Sequence, residues 1–377
     1  MNGSPVRGSV RRSDARSAPV RPQNGGSRGE RRLQLARRLT IALDGMGGDN
    51  APESVVQGAA IARERMPHLN YLMFGDEARL RPLVEGEQHL AGAVEIRHTD
   101  EVVANTDKPS TALRNGKRTS MRLAIDAVQH GEADSAVSSG NTGALMAMAM
   151  FGLRTISGVE RPAICSFFPT ERGETCMLDL GANVACDAEN LVQFAVMGEA
   201  FARSAMGIEK PTVGLLNVGV EDLKGKDEVK LAASALRESD LPIEFKGFVE
   251  GDDIARGTVD VVVTDGFTGN IALKTAEGTS RLVSAFLREA FQSSLMAKIG
   301  YLFARRAMQK LRLRVDPRRY NGAMLLGLNG IVVKSHGGTD ALGFANAIGV
   351  AADMASHGFI GKMQNDIERL RPPDSGR

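Results

Sequence analysis

The sequence predicts an α/β fold in which helices cover both faces of a three-layer, doubly wound, mostly parallel sheet. The first observation is an alternation of short apolar runs, typical of buried strands, with longer stretches typical of helices. The second is that several of these runs stop at a turn rich in Gly, Asn, Ser, Thr or Asp, after which a helix signal follows. With 377 residues, 42% hydrophobic and 24% charged, the chain suffices for one large domain or two modest ones.

The alternation starts near Leu39 and continues through most of the chain. The first strand, LTIALDG, precedes a helix whose start is indicated by Asn50 as N-cap, Pro52 in the first turn and Glu53 at the positive helix end. The further predicted strands cover 69–76, 133–139, 212–218, 243–249 and 259–265. The predicted helices cover 52–66, about 118–130, 141–154, 227–239 and a stretch from Asn270. Residues 162–180 break the alternation, since two apolar runs flank PTERGE and predict a hairpin.

Residues 1–38 form an Arg-rich tail that is predicted to be disordered, because it lacks an apolar run that could join a core. The tail holds ten arginines against Asp14 and Glu30, so it carries a net charge of +8 and leaves −6 on the rest of the chain. A solvated extension, a weak contact with an anionic surface and a transit peptide are the alternatives for its role. The ordered domain is predicted to span 39–371, and residues 372–377 form a C-terminal tail.

Composition excludes several classes of protein. No run of eighteen apolar residues occurs, so the sequence predicts no membrane-spanning helix. The three cysteines form no C-x-x-C pair, which is typical of free thiols in a reducing compartment. The absence of Trp and the presence of only three Tyr argue against an aromatic platform for nucleic acid. We therefore expect no nucleic-acid partner.

The glycine-rich turns predict a phosphate or oxyanion site. They are LDGMGGDN, SSGNTG, LDLGAN, TDGFTGN and KSHGGTD. In a parallel sheet, ligands bind outside the carboxyl ends of the strands, where the next helix presents unpaired N–H groups and its positive end. One such turn is common in α/β proteins, but their number in this chain predicts that they rim one crevice and hold a phosphate.

Motifs of other chemistries are missing from the sequence. No G-x-G-x-x-G follows the first strand, and GVEDLKGKD is one residue longer than a Walker A motif and ends in Asp. Neither H-E-x-x-H nor a Cys/His cluster indicates zinc, and no G-x-S-x-G nucleophile elbow is present. The sequence therefore predicts neither a metal nor a cofactor.

Polar side chains on the turns are candidate phosphate ligands. Lys224, with Lys226 close by, is the main cationic candidate, although a lysine in such a turn is often a surface residue. Asn270 could bind an oxyanion or simply cap a helix, and His336 could donate to phosphate or cap its turn. The predicted cradle consists of Asp44, Gly45, Gly47, Gly48, Ser139, Asn141, Thr142, Asn183, Gly269, His336 and Gly337.

The chain resembles the phosphate acyltransferase family, the acyl-ACP:phosphate acyltransferases known as PlsX, in six ordered motifs between Leu39 and Arg371. The motifs are IALDGMGGDNAPE, SSGNTGALMA, LDLGANVACDAENLVQFAVMG, LLNVGVEDLKGKDEVK, DVVVTDGFTGNIALKTAEG and GIVVKSHGGTDALGFANAI. The resemblance implies a fold similar to those of isopropylmalate dehydrogenases and phosphotransacetylases, and a homodimer. Only the Arg-rich tail departs from the family pattern.

The same resemblance implies a reaction, in which orthophosphate attacks the thioester of a fatty acyl carrier protein and acyl phosphate forms. A membrane glycerol-3-phosphate acyltransferase would consume this product in phospholipid synthesis. By match to the family's motifs, Lys224 and Asn270 are the catalytic residues. The resemblance also implies a cytoplasmic protein that associates peripherally with the inner face of the cell membrane.

Residues 284–320 form a basic amphipathic segment, which is predicted to belong to a protruding helical arm at about 270–320. Apolar residues recur every four positions, from Leu287 to Phe303, and share one helix face. One alternative is that the segment is a dimerisation arm whose charged face is simply solvated. The functional alternatives are binding to an anionic membrane and docking of the acidic carrier protein. The predicted contact residues are Lys298, Arg305, Arg306, Lys310, Arg312 and Arg314.

Three other functions remain open at this stage. A phosphotransacetylase-type enzyme would use a short acyl-CoA, but a soluble product needs no membrane arm. A nicotinamide-dependent hydroxy-acid dehydrogenase could use a similar sheet, but the dinucleotide fingerprint is missing. A non-catalytic phosphate-binding module would leave the arm and Lys224 unexplained.

Overall fold

The computed structural model describes residues 38–241, 243–314 and 316–368, except for the side chains of Arg312, Leu313 and Pro317. Residues 1–37 of the predicted N-terminal tail and the predicted C-terminal tail at 372–377 lie outside the described residues.

Eleven strands and twelve helices follow one another along the described residues. The strands are β1 (Leu39–Asp44), β2 (Leu69–Gly75), β3 (Val94–His98), β4 (Ser135–Ser138), β5 (Ala163–Thr170), β6 (Gly173–Leu178), β7 (Thr212–Leu216), β8 (Glu244–Val249), β9 (Val261–Val263), β10 (Ala323–Leu326) and β11 (Ile331–Lys334). The helices are α1 (Glu53–Arg65), α2 (Glu77–Gly86), α3 (Pro109–Asn115), α4 (Ser120–Gln129), α5 (Thr142–Leu153), α6 (Ala188–Ala205), α7 (Asp227–Glu238), α8 (Gly251–Arg256), α9 (Gly266–Gln292), α10 (Leu295–Arg314), α11 (Ala341–Ser356) and α12 (Phe359–Glu368).

All these strands form one sheet in the order β3-β2-β1-β4-β11-β10-β5-β6-β9-β7-β8. Seven of the ten neighbouring pairs are parallel. Two apolar clusters pack against the sheet, and helices contribute to each: Phe194 and Phe344 belong to one, Ile125 and Leu145 to the other. The predicted mostly parallel α/β fold is confirmed, and so is the hairpin at 162–180, which is the antiparallel pair β5–β6.

Strand direction reverses at the centre of the sheet. β10 is antiparallel to both β11 and β5, and β5 is antiparallel to β6. A first block of parallel strands (β3, β2, β1, β4 and β11) therefore runs opposite to a second block (β6, β9, β7 and β8). The prediction that all the glycine-rich turns lie at one edge of the sheet is wrong, because it assumed that every strand runs the same way.

Helix α9 begins four residues earlier than predicted, at Gly266, because Asp265 is its N-cap and accepts a hydrogen bond from the Thr268 N–H at 2.8 Å. Its first turn is packed tightly, since Gly266 and Gly269 are buried. Most side chains beyond residue 277 in α9, and most of those described in α10, are exposed. The two helices pack on each other at the rings of Phe291 and Tyr301, whose centroids are 5.2 Å apart.

Replacing Gly269 by Ala should destabilise the fold, because a Cβ there would overlap the carbonyl oxygen of Asp179. We expect Gly269→Ala to lower the free energy of unfolding by about 1–3 kcal/mol in urea titrations. Gly278→Ala in the same helix is the matched control, since a Cβ there meets nothing within 4 Å. Gly278→Ala should raise the free energy of unfolding by up to about 1 kcal/mol, because Ala has a higher helix propensity than Gly. Equal stability of the two variants would contradict the close approach.

Candidate active site

Two groups of turns carry the polar side chains, one at the carboxyl ends of each block of strands. The first turn cluster consists of residues 44–50, 138–141 and 334–340, at the ends of β1, β4 and β11. The second turn cluster consists of residues 179–183, 217–226 and 264–270, after β6, β7 and β9. Except for Thr142, which begins α5, the predicted cradle residues divide between these two clusters.

Asp44 fixes the turn after β1 in the first turn cluster. Its buried carboxylate accepts hydrogen bonds from Ser120 Oγ and Ser138 Oγ, each at 2.6 Å. Burial raises the pKa of Asp44, and these hydroxyls, with the N–H groups of Met46 and Gly47, oppose that rise. Burial of a carboxylate destabilises the folded state unless such donors compensate for the lost hydration. Asp44 therefore joins β1, α4 and β4 as a brace, and its oxygens are already engaged.

Lys334, which the sequence analysis did not single out, is a buried cation in the first turn cluster, 9% exposed. Its Nζ donates to the carbonyl oxygens of Ser139, at 3.4 Å, and Ser335. Ser139 Oγ donates in turn to the carbonyl of Gly47 at 2.6 Å, which links the turns after β4 and β1. Burial lowers the pKa of Lys334 to about 8, and the nearby carboxylate of Asp44 opposes this. The signal in the sequence was a lysine that ends the apolar run IVVK.

Asn321 holds the turn that follows β11. Its Nδ2 donates to Ser335 Oγ at 2.7 Å and to the carbonyl of Gly343 at 2.8 Å, and its Oδ1 accepts from the His336 N–H at 2.9 Å. The exposed His336 ring accepts the Gly338 N–H at Nδ1, 3.2 Å away, so that Nε2 carries the ring proton of the neutral form. Partial burial lowers the pKa of His336, and the charge of Lys274 lowers it further.

Asp179 organises the second turn cluster. Its Oδ1 accepts the N–H groups of Ile164, Gly181 and Ala182 at 2.9–3.2 Å. Its Oδ2 accepts both the backbone N–H and the side-chain Nδ2 of Asn183, at 2.7 and 3.0 Å. Burial raises the pKa of Asp179 against these donors. The predicted cradle residue Asn183 is thus part of the brace, and its amide is directed inward.

The two lysines of the turn after β7 lie in different surroundings. Lys226 Nζ donates to Asp265, the N-cap of α9, at 2.9 Å. The Lys224 side chain is 54% exposed, and its Nζ pairs with Glu221 at 3.0 Å. Both lysines are exposed, since the Lys226 side chain is 64% accessible, but only Lys226 contacts the start of α9.

Asn270 is the last residue of the second turn cluster and lies on α9 next to Gly181, where an added Cβ would be 3.6 Å from the Asn270 Cβ. Its side chain is exposed, and in the part of the chain that the structure describes its amide has no hydrogen-bond partner. One turn later, on the same helix face, comes Lys274. Lys274 and Glu277 are close enough to the His336 ring for their charges to act on its pKa. The charges on this face of α9 therefore act on a residue of the first turn cluster.

The other predicted cradle residues have mainly structural contacts. Asn141 caps α5 by accepting the Ala144 N–H at 3.1 Å, and its Nδ2 donates to carbonyls of the loop 104–107, so its amide is used. Thr142 is exposed on the first turn of α5. Gly48 has a φ of 101°, which a side chain rarely adopts, and it packs against Ser139 Oγ. The remaining glycines, Gly45, Gly47 and Gly337, shape the turns after β1 and β11.

The basic residues of α10 do not form one uniform surface. Lys298, Arg305, Arg306 and Lys310 are exposed. Arg314 instead donates to the carbonyl oxygens of Thr170 and Glu171, at 3.0 and 2.9 Å, and so fixes the end of α10 to the β5–β6 hairpin. The side chain of Arg312 lies outside the described residues.

Among the residues described, no helix is both long enough and apolar enough to cross a membrane. Likewise, the described His, Cys, Asp and Glu side chains include no group of three or more that could hold a metal ion.

Comparison with known proteins identifies close relatives. The family model described as "Fatty acid synthesis protein" matches residues 39–362. The chain is 61% identical over 340 residues to the phosphate acyltransferase of Paramagnetospirillum magneticum, which covers 90% of this chain and 97% of the relative. It is 63% identical over 337 residues to the phosphate acyltransferase of Rhodospirillum centenum, and this match covers 89% of this chain and 95% of the relative.

Solved structures show a similar fold at low sequence identity. A phosphotransacetylase from Streptococcus pyogenes matches with a TM-score of 0.58 and 19% identity, covering 87% of this chain and 97% of that one. The EutD phosphotransacetylase from Staphylococcus aureus matches with a TM-score of 0.55 and 18% identity, covering 86% of this chain and 97% of that one. At these identities the likeness concerns the fold.

Lys334→Met should change how stability depends on alkaline pH. Folding lowers the pKa of Lys334 from 10.5 to about 8, so between these values the unfolded chain binds the proton more tightly and the folded state gains stability as the pH rises. From pH 7 to 10, the free energy of unfolding of the wild type should rise by about 2–3 kcal/mol relative to that of Lys334→Met.

Urea titrations at both pH values measure this difference. Lys246→Met is the control, because Lys246 is half exposed and pairs with Glu244 on the surface. It should show the pH dependence of the wild type. If the stability of Lys334→Met rises with pH as that of the wild type does, Lys334 is not a buried cation.

Proposed function

The chain belongs to the phosphate acyltransferase family, and from this premise we propose that it transfers a long-chain fatty acyl group from acyl carrier protein to orthophosphate. In this reaction a phosphate oxygen bonds to the thioester carbonyl carbon, the C–S bond breaks, and the carrier leaves as a thiol after taking up a proton. The observation that carries the proposal is the amide of Asn270 on α9, which is exposed beside Gly181 and has no hydrogen-bond partner among the described residues.

The groups around α9 suit acyl transfer without a covalent intermediate on the protein. A thioester is already activated, so the protein has to hold phosphate against the carbonyl and stabilise the oxyanion that develops there. We assign the Asn270 amide to donate to this oxyanion. Lys224 would supply positive charge to the same oxyanion, once the ligand replaces its exposed pairing with Glu221.

The helical hairpin α9–α10 supports a long-chain donor and a membrane-bound acceptor of the product. Leu302 and Phe303 of α10 are 67% and 85% exposed, close in sequence to the exposed Arg305 and Arg306. Apolar side chains flanked by cations are suited to the surface of an anionic bilayer. We propose that the protein is a cytoplasmic homodimer that associates peripherally with the inner face of the cell membrane. The acidic carrier protein would dock on the same cations.

This location fits the chemistry of the product. An acyl phosphate with a long chain is lipid-like and reactive, and the proposed acceptor is a membrane acyltransferase that acylates glycerol 3-phosphate. If the product is released at the membrane surface, it does not have to diffuse through water to reach the acceptor.

A direct assay tests the reaction. The purified protein is mixed with palmitoyl-ACP and orthophosphate, and acyl phosphate is trapped with hydroxylamine as hydroxamate. Product should depend on phosphate and should not form when acetyl-CoA replaces palmitoyl-ACP. Turnover of acetyl-CoA would instead indicate a phosphotransacetylase-type enzyme. No product with either thioester would refute the proposed acyl transfer.

Removing the Asn270 amide should lower turnover and leave the fold intact. We expect Asn270→Ala to reduce kcat about 10²- to 10³-fold, as is typical of a lost oxyanion donor. Lys224→Ala should also reduce kcat, whereas Lys230→Ala is the control, because Lys230 lies within α7 and pairs with Asp227 at 2.7 Å. Near-wild-type kcat in both Asn270→Ala and Lys224→Ala, with unchanged melting temperatures, would show that these roles are wrongly assigned.

The arm should bind anionic vesicles through both apolar and charged side chains. In co-sedimentation with vesicles containing anionic phosphatidylglycerol, Phe303→Ser and the double variant Arg305→Glu/Arg306→Glu should each reduce the bound fraction several-fold. Lys362→Glu, an exposed charge reversal on α12, is the control and should bind as the wild type does. Equal binding by all the variants would contradict a membrane role for α10.

A further inference from the structure

Three cations and one carboxylate act on the pKa of His336, and the carboxylate of Asp49 borders Gly337 and Gly338 beside the ring. After partial burial, the charges that act on its pKa are those of Lys274, Glu277 and Arg281 on α9 and of Lys334 on β11. Glu277 already pairs with Lys274 at 3.0 Å and with Arg281 at 3.6 Å, so two cations share one carboxylate. The space beside the imidazole is therefore one in which an anion would relieve repulsion among cations.

Lys334 is fixed on its side of this space. Its hydrogen-bond partners, the carbonyls of Ser139 and Ser335, are neutral, so they orient the ammonium group without cancelling its charge. The carboxylate of Asp49 also acts on Lys334, and its Oδ1 is engaged by Asn105 Nδ2 at 2.8 Å. Because the lysine is nine-tenths buried, the cation cannot swing out into solvent to reach a ligand, and the ligand must come to it.

The backbone beside His336 leaves room for a small ligand. A Cβ built on Gly337 would meet nothing nearer than the Ser139 carbonyl oxygen at 3.7 Å. A Cβ on Gly338 would meet nothing nearer than Asp49 Oδ2 at 3.5 Å. The two glycines thus form an open floor next to the ring, in contrast to the crowded Gly47 and Gly48 on the neighbouring turn.

We propose that orthophosphate binds in the space bounded by His336, Lys334 and Lys274, apart from the Lys224 loop. His336 donates its Nε2–H to a phosphate oxygen, Lys274 contacts the anion from α9, and Lys334 holds the turn and supplies a fixed charge. Asn270 precedes Lys274 by one turn, about 6 Å along α9. Phosphate at Lys274 would therefore face a thioester carbonyl held at Asn270. The inference rests on the proposed function for the reaction, but phosphate binding itself requires no turnover.

The test is an NMR titration of His336 in the full-length protein. Histidine is labelled with ¹³C in the ring, His336→Gln assigns the signal, and orthophosphate is compared with sodium chloride at equal ionic strength. Bound phosphate should raise the pKa of His336 by about one unit, because an anion within 4–6 Å favours the imidazolium. The charged groups facing the ring, named above, are the same in both titrations.

Two lysine variants distinguish this subsite from general electrostatic attraction. Lys274→Met and Lys334→Met should each weaken phosphate binding about tenfold or more, as expected for a lost charged contact. Lys274 is 55% exposed, so its variant should fold even if Lys334→Met does not. Lys246→Met, which removes a remote surface cation, should bind phosphate as the wild type does.

The outcomes separate this inference from the proposed function. If phosphate leaves the pKa of His336 unchanged while palmitoyl-ACP is turned over, the subsite is elsewhere and the function stands. If phosphate raises the pKa of His336 but no thioester is turned over, the phosphate subsite is supported and the proposed function is refuted. Equal weakening of phosphate binding by Lys246→Met would overturn the subsite, because attraction would then depend on overall charge.

Discussion

The reversal of strand direction at the centre of the sheet is the constraint on which the site depends. Because β10 and the β5–β6 hairpin turn the second block against the first, the two sets of carboxyl ends do not share one edge. Asn270 ends one turn cluster, and the charge of Lys274, one turn further along α9, acts on the pKa of His336 in the other. In the proposed reaction the helix combines the two clusters as half-sites, and Asp265 and Gly269 fix its start.

Buried charged groups hold each half-site rigid. Asp44 and Asp179 would be costly in the interior without partners, and each carboxylate accepts hydrogen bonds that join its own turn to neighbouring elements. Lys334 has a comparable position in the first turn cluster, but its partners are neutral carbonyls and its pKa is lowered to about 8. The Asn270 amide, which has no hydrogen-bond partner among the described residues, and Nε2 of His336 are thus presented by a helix start and a turn that have little freedom to rearrange.

The sequence predicted the α/β class, the alternation and the hairpin, because apolar periodicity and turn residues are local signals. It did not predict strand order, since the pairing of β10 with β5 joins residues far apart in the chain. The glycine-rich turns follow strand ends as predicted, but the reversal of strand direction divides them between two clusters. The sequence could not show which amides were already used: Asn141 and Asn183 are engaged by their own turns, whereas the Asn270 amide has no partner among the described residues. Lys334 was missed because a lysine that ends a strand looks like a surface residue until its burial is known.

A crystal structure with a long-chain acyl phosphonate, a stable analogue of acyl phosphate, would test most directly whether α9 makes one site of the two turn clusters. We expect one ligand to contact both turn clusters. Its phosphonate should lie beside His336 and Lys274, and its carbonyl oxygen should accept a hydrogen bond from the Asn270 amide. A ligand whose phosphonate and carbonyl both lie within a single turn cluster, with α9 contributing nothing between them, would contradict it.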